Sequence, residues 1–166
     1  NSAPLRFPLI DALRGIAALL VLIYHVIEIS GWQSFPSSGI ALLFRIGWIG
    51  VDLFFVISGF VIGRAAIAGM LSQPLAWKKP FFERRLRRIL PLYLLSGMVF
   101  LLLVDPSPLL SGWGTAMVHI LSHLFFVHNL HPATHGSIDG PNWSVGLEMQ
   151  FYLAILFFGS WIVRTA

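Results

Sequence analysis

Residues 13–29 read LRGIAALLVLIYHVIEI, and this stretch decides the fold. It is an apolar run of helical length that contains Arg14 and His25, eleven positions apart. At about 100° per residue, eleven steps are three turns plus roughly 20°, so both side chains leave the helix on one face. At about 1.5 Å per residue they stand about 16 Å apart along the axis, about half a bilayer core. A helix that only anchors needs neither group. Ionisable side chains inside a membrane cost about 2.5–3.5 kcal/mol each on insertion scales and face a cavity or a partner. Glu28 follows His25 by three positions, within reach on the same face. A carboxylate there is expected to orient the imidazole and raise its basicity.

The rest of the chain agrees with a membrane setting. Of its 166 residues 57% are hydrophobic and 11% are charged, against about 25% charged in a soluble domain. The net charge is +4, but the basic residues are clustered. That excess points to orientation in a membrane rather than to nucleic acid. With no cysteine, disulfides and thiolate metal sites are excluded. The first apolar run is too long for a signal-peptide core and has no small-residue cleavage site, so it reads as a retained span.

In order, residues 1–10 form an approach segment, and 12–29 the first span. Asp11 is placed to pair with Arg14 on the first turn. Residues 30–39, rich in Gly, Pro and Ser and free of charge, read as a turn. A second span lies within 40–63 and carries Arg45 and Asp52, the latter deep enough to need a partner or water. Gly47, Gly50, Gly59 and Gly63 permit close helix approach. Residues 64–88 hold Arg64, Lys78, Lys79, Arg84, Arg85, Arg87 and Arg88 against Glu83. By the positive-inside rule this loop is cytoplasmic and 30–39 is outside. A third span follows at 89–104 with Pro91 in its first turn, then a turn at 105–114. Residues 115–130 are short for a span, so a tilted span and a re-entrant helix both remain open. A loop at 131–141 leads to a last span at 142–163. The expected architecture is an all-α, polytopic transmembrane bundle with four to five membrane helices.

Three constellations can carry chemistry, each with a plainer alternative. Arg14 is either a snorkelling residue or part of a site with His25 and Glu28. His25 is either a catalytic base or a buried histidine bonded to a neighbouring helix. Arg84, Arg85, Arg87 and Arg88, at a helix start beside the membrane, are either a topology signal attracted to anionic lipid, or a clamp whose guanidinium forks grip phosphate. His119 and His123 have the i, i+4 spacing of metal ligands, but no carboxylate stands at a matching position. With His128, His131 and His135 they are expected to line a cavity or interface, and no metal is expected. Glu148 serves as a hydrogen-bond acceptor or a substrate contact.

Four stretches together resemble the acyltransferase family 3 membrane proteins. They are DALRGIAALLVLIYH with R-x10-H at Arg14 and His25, GVDLFFVISGFVI, FFERRLRRILPLY, and NWSVGLEMQFYL with W-S-x-x-x-E at Trp143, Ser144 and Glu148. The family's R-x-x-R occurs in two registers, and alignment on Ile89 and Pro91 selects Arg85 and Arg88. The resemblance covers nearly the whole chain, but the family domain is longer, so residues 1–166 look like its N-terminal half. It implies transfer of an acyl group, often acetyl, from acyl-CoA to a hydroxyl of a carbohydrate or related acceptor in the plasma (inner) membrane of a bacterium. Acyl-CoA is then a co-substrate, and no tightly bound cofactor is expected. His25 would deprotonate the acceptor or carry the acyl group, with Glu28 orienting it. Arg14, Arg85 and Arg88 would hold the donor, and Asp52 would partner Arg14. Two other classes compete: a proton-coupled transporter using the intramembrane charges as a relay, and a lipid-binding scaffold using only the basic loop.

Overall fold

The computed structural model describes residues 7–31, 33 and 38–165, with side chains as far as residue 161. Among the described residues the secondary structure is helical, with turns between the helices and no strand. The longer helices are α1 (Pro8–Ser30), α2 (Ile49–Ser72), α3 (Lys78–Val99, continued by a π turn at Phe100–Val104), α4 (Trp113–Leu124) and α5 (Trp143–Thr165). Single helical turns lie at Leu42–Arg45 and Ser107–Leu110. α1, α2 and α3 are long and apolar enough to cross a membrane. α5 has the length, 23 residues, with Glu148 and Gln150 making its first turns more polar. Residues 1–6 of the approach segment and half of the turn at 30–39 lie outside the described residues, as does the side chain of Arg164.

The boundaries depart from the sequence reading where charge is taken as a helix breaker. α2 runs through Arg64 to Ser72, because residues 65–71, AAIAGML, favour a helix and one arginine does not stop it. The helix ends just before Pro74, which bars its predecessor from helical geometry. The expected basic loop at 64–88 therefore shrinks to a link at 73–77, and the four arginines are helical residues of α3. Pro91 sits in the interior of α3 rather than in a first turn. α4 has 12 residues, about 18 Å against a core of about 30 Å, too short to cross upright. It is ended by Phe126, whose φ of 56° is left-handed. That conformation is held by Gln150, which donates to the Phe126 carbonyl at 2.8 Å.

The chain divides into two compact units, Asn1–Gly63 and Arg64–Ala166, with the boundary inside α2. In the first, backbone meets backbone. A Cβ on Gly47 would lie 2.5 Å from the Leu20 carbonyl oxygen, and one on Gly50 2.6 Å from that of Ala17. Only glycine permits this approach to α1. In the second unit the core is aromatic. Trp77 meets Phe81 edge-on at 5.5 Å, and Phe81 meets Tyr152 at 6.4 Å. Phe81 and Tyr152 are each 1% exposed, which fixes α3 against α5.

Candidate active site

In the first unit, α1 carries Arg14 and His25, both half-buried. His25 Nδ1 lies 2.8 Å from the Val21 carbonyl. A carbonyl only accepts, so Nδ1 carries the proton and Nε2 keeps the basic lone pair. That is the tautomer a general base needs. The tether comes from its own helix and not from Glu28, which is exposed and makes no bond to the imidazole. The reason is direction: helical side chains lean toward the N-terminus, so the ring turns back to Val21 and away from Glu28. Asp52 likewise departs from expectation. It is exposed in the first turn of α2 and forms no ion pair with Arg14. The unpaired amides of a helix N-terminus favour a carboxylate there, which removes the need for a buried partner. Asp11 also forms no ion pair with Arg14.

In the second unit the two motifs on α3 and α5 meet. Arg85 is half-buried, and its guanidinium carbon stands 4.4 Å from the centre of the Phe81 ring and 5.7 Å from that of Tyr152. Both distances are within reach of cation–π attraction. The Tyr152 hydroxyl donates to Glu148 Oε1. Arg85 Nε is buried with no hydrogen-bond partner. A buried guanidinium N–H without an acceptor, braced by two rings, is a costly arrangement, suited to an anionic ligand. Arg88, three positions on, is exposed, as are Arg84 and Arg87. The two arginines of R-x-x-R therefore have different surroundings. Ser144 donates to the Pro141 carbonyl at 3.0 Å and serves the start of α5. The Trp143 ring stacks on His135 at 5.9 Å.

The histidines form a polar framework. His123 and His128 stack at 4.1 Å with planes 9° apart. His123 Nδ1 donates to the His119 carbonyl at 2.9 Å, and His128 Nε2 to that of Asn142 at 3.1 Å. His119 Nδ1 donates to the Ser137 hydroxyl at 2.9 Å. The Tyr93 hydroxyl reaches across from α3 to the His123 carbonyl at 2.9 Å. His123 also borders a cavity of about 630 Å³ along α3, whereas His119, His128, His131 and His135 are not among its lining residues. The i, i+4 pair His119 and His123 uses its Nδ1 atoms in these bonds, which leaves His123 Nε2 buried without a hydrogen-bond partner. Sequence reasoning missed Phe81, Tyr93 and Tyr152. For Tyr152 the available signal was its place four positions after Glu148, one turn along the same helix face.

A family model described as an acyltransferase domain, the third acyltransferase family, matches residues 7–166. The chain belongs to that family. Among similar curated proteins is the peptidoglycan O-acetyltransferase OatA of Listeria monocytogenes, 29% identical over 168 residues, covering 93% of this chain and 25% of that protein. The acyltransferase MdmB of Streptomyces mycarofaciens is 30% identical over 158 residues, covering 89% of this chain and 38% of its own length. The O-acetyltransferase OatA of Staphylococcus aureus is 29% identical over 159 residues, 91% of this chain and 24% of that protein. The chain thus spans a quarter to two fifths of the length of these relatives. No solved structure matches significantly.

Proposed function

We propose that this chain is the donor-binding portion of a membrane O-acyltransferase that moves an acyl group from acyl-CoA to a hydroxyl of a carbohydrate or related acceptor. The observation that carries the reading is Arg85, with its buried unbonded Nε and its two supporting rings. A diphosphate-bearing donor satisfies such a guanidinium. His25 supplies the base: its Nε2 takes the acceptor proton, the hydroxyl oxygen attacks the thioester carbonyl, and the C–S bond breaks to release the thiol after proton return. Arg14 lies on the same face of α1 as His25 and is the cation nearest that base along the helix face. The basic start of α3 is placed at the cytoplasmic face of the plasma membrane by the positive-inside rule.

The test is donor affinity of the full natural chain in nanodiscs. Unmodified protein is expected to bind acyl-CoA. Arg85→Lys, which keeps charge but loses the planar fork, is expected to bind about ten-fold more weakly at normal expression, since a hydrogen bond to a charged group contributes about 1.5–3 kcal/mol. Failure of the unmodified protein to bind or hydrolyse labelled acyl-CoA would remove the donor assignment.

A further inference from the structure

The outward face of α3 changes character at Pro91. Taking Arg84 as zero, Arg87 lies at about −60°, Pro91 at −20°, Leu94 at −80°, Leu95 at +20° and Met98 at −40°. One face therefore begins with exposed guanidinium groups and continues as the apolar wall of the 630 Å³ cavity. The opposite wall comes from α4 through Ile120 and Leu124. Along α3 the lined stretch runs from Pro91 to Leu102, about 16 Å, close to the depth of one leaflet of the core. Arg85, about 100° round the helix, turns away to Phe81 and Tyr152 and takes no part.

We propose that this face binds one anionic phospholipid, its phosphate on Arg84 and Arg87 and one acyl tail in the cavity between α3 and α4. Charge complementarity selects the head. The competing carboxylate, Glu83, lies 3.9 Å from Arg87 and 3.9 Å from Lys79, with both cations more than four-fifths exposed. Such exposed pairs are weak and exchange readily for a phosphate that accepts two guanidinium bonds. Depth selects the tail: the cavity begins within one helical turn of Arg87 and lies in a helix apolar enough to cross a membrane. The lipid site does not depend on the donor reading, since the two use different arginines.

The full natural chain, purified in mild detergent, is offered equal amounts of dipalmitoyl phosphatidylglycerol and dipalmitoyl phosphatidylcholine. Bound lipid is counted by native mass spectrometry. The expected result is one retained lipid, with the anionic head favoured several-fold. Arg84→Gln with Arg87→Gln is expected to bring the ratio near one. Met98→Trp, which fills the cavity, is expected to abolish retention of both lipids. Phosphatidylglycerol with a photoreactive tail, used on the unmodified chain, keeps the question answerable if a variant fails to fold: labels are expected within residues 94–102 and 120–124. No retained lipid, as when another part of the full chain fills the cavity, overturns the proposal. So does an unchanged ratio in the double glutamine variant, displacement by inorganic phosphate alone, or labels confined elsewhere. A double variant that keeps its lipid preference and loses acyl-CoA binding would transfer these arginines to the donor site and overturn the lipid assignment.

Discussion

The two units solve the problem of polar groups in an apolar chain in opposite ways. In Asn1–Gly63 the motif residues act singly. His25 is tethered within its own helix, and Arg14, Glu28 and Asp52 form no ion pairs with one another. Packing there is close backbone contact at Gly47 and Gly50. In Arg64–Ala166 polar groups are bonded across elements: Tyr93 to the His123 carbonyl, Gln150 to that of Phe126, His128 to that of Asn142. The difference teaches where substitutions should act. A residue that stands alone can be removed with its chemistry and little else, whereas one in a cross-linked framework carries structure with it.

The sharpest way to break this contrast is His25→Ala. General bases contribute about 10²- to 10⁴-fold, so acyl transfer by the full natural chain is expected to fall by at least about a hundred-fold, while acyl-CoA affinity and thermal stability stay near normal. His25→Gln should not restore turnover, since an amide takes no proton near neutral pH. Near-normal transfer in either variant would return His25 to a structural role. Next in size is the glycine contact. Gly47→Ala or Gly50→Ala puts a Cβ 2.5–2.6 Å from a carbonyl oxygen of α1, an overlap that overpacking studies value at about 1–3 kcal/mol. A lowered unfolding temperature in nanodiscs is expected, and no change would show that α1 moves aside freely.

Smaller effects belong to the second unit. Tyr152→Phe removes the donor to Glu148 while keeping the ring under Arg85. Leaving a carboxylate short of one partner is expected to weaken donor binding by a few-fold, with the unfolding temperature slightly lowered. An effect as large as that of Arg85→Lys would mean that Glu148, rather than the guanidinium, dominates the site. The smallest change is expected for Glu28→Gln. Because Glu28 is exposed and unbonded to His25, turnover should fall less than about two-fold, within what loss of an exposed charge contributes. A loss of ten-fold or more would show that the carboxylate swings onto the imidazole during the reaction.

The sequence by itself determined what a single helix can encode. The all-α class, the membrane character and the shared face of Arg14 and His25 follow from 3.6-residue periodicity and from the cost of charge in hydrocarbon. Four motifs in order were enough to place the chain in its family. What the sequence could not hold is the partner of each polar group. Arg85 and Arg88 are equivalent in the R-x-x-R pattern, yet only Arg85 reaches Phe81 and Tyr152, because α5 packs on one side of α3. Glu28 stands at contact spacing from His25, yet the tilt of helical side chains gives the imidazole to Val21. Residues 64–88 read as one basic loop, yet Arg64 continues α2, because the apolar residues 65–71 prolong that helix almost to Pro74, and the four arginines belong to α3. These outcomes were decided by tertiary structure, since rotamer direction and the approach of a second helix depend on residues far away in the chain.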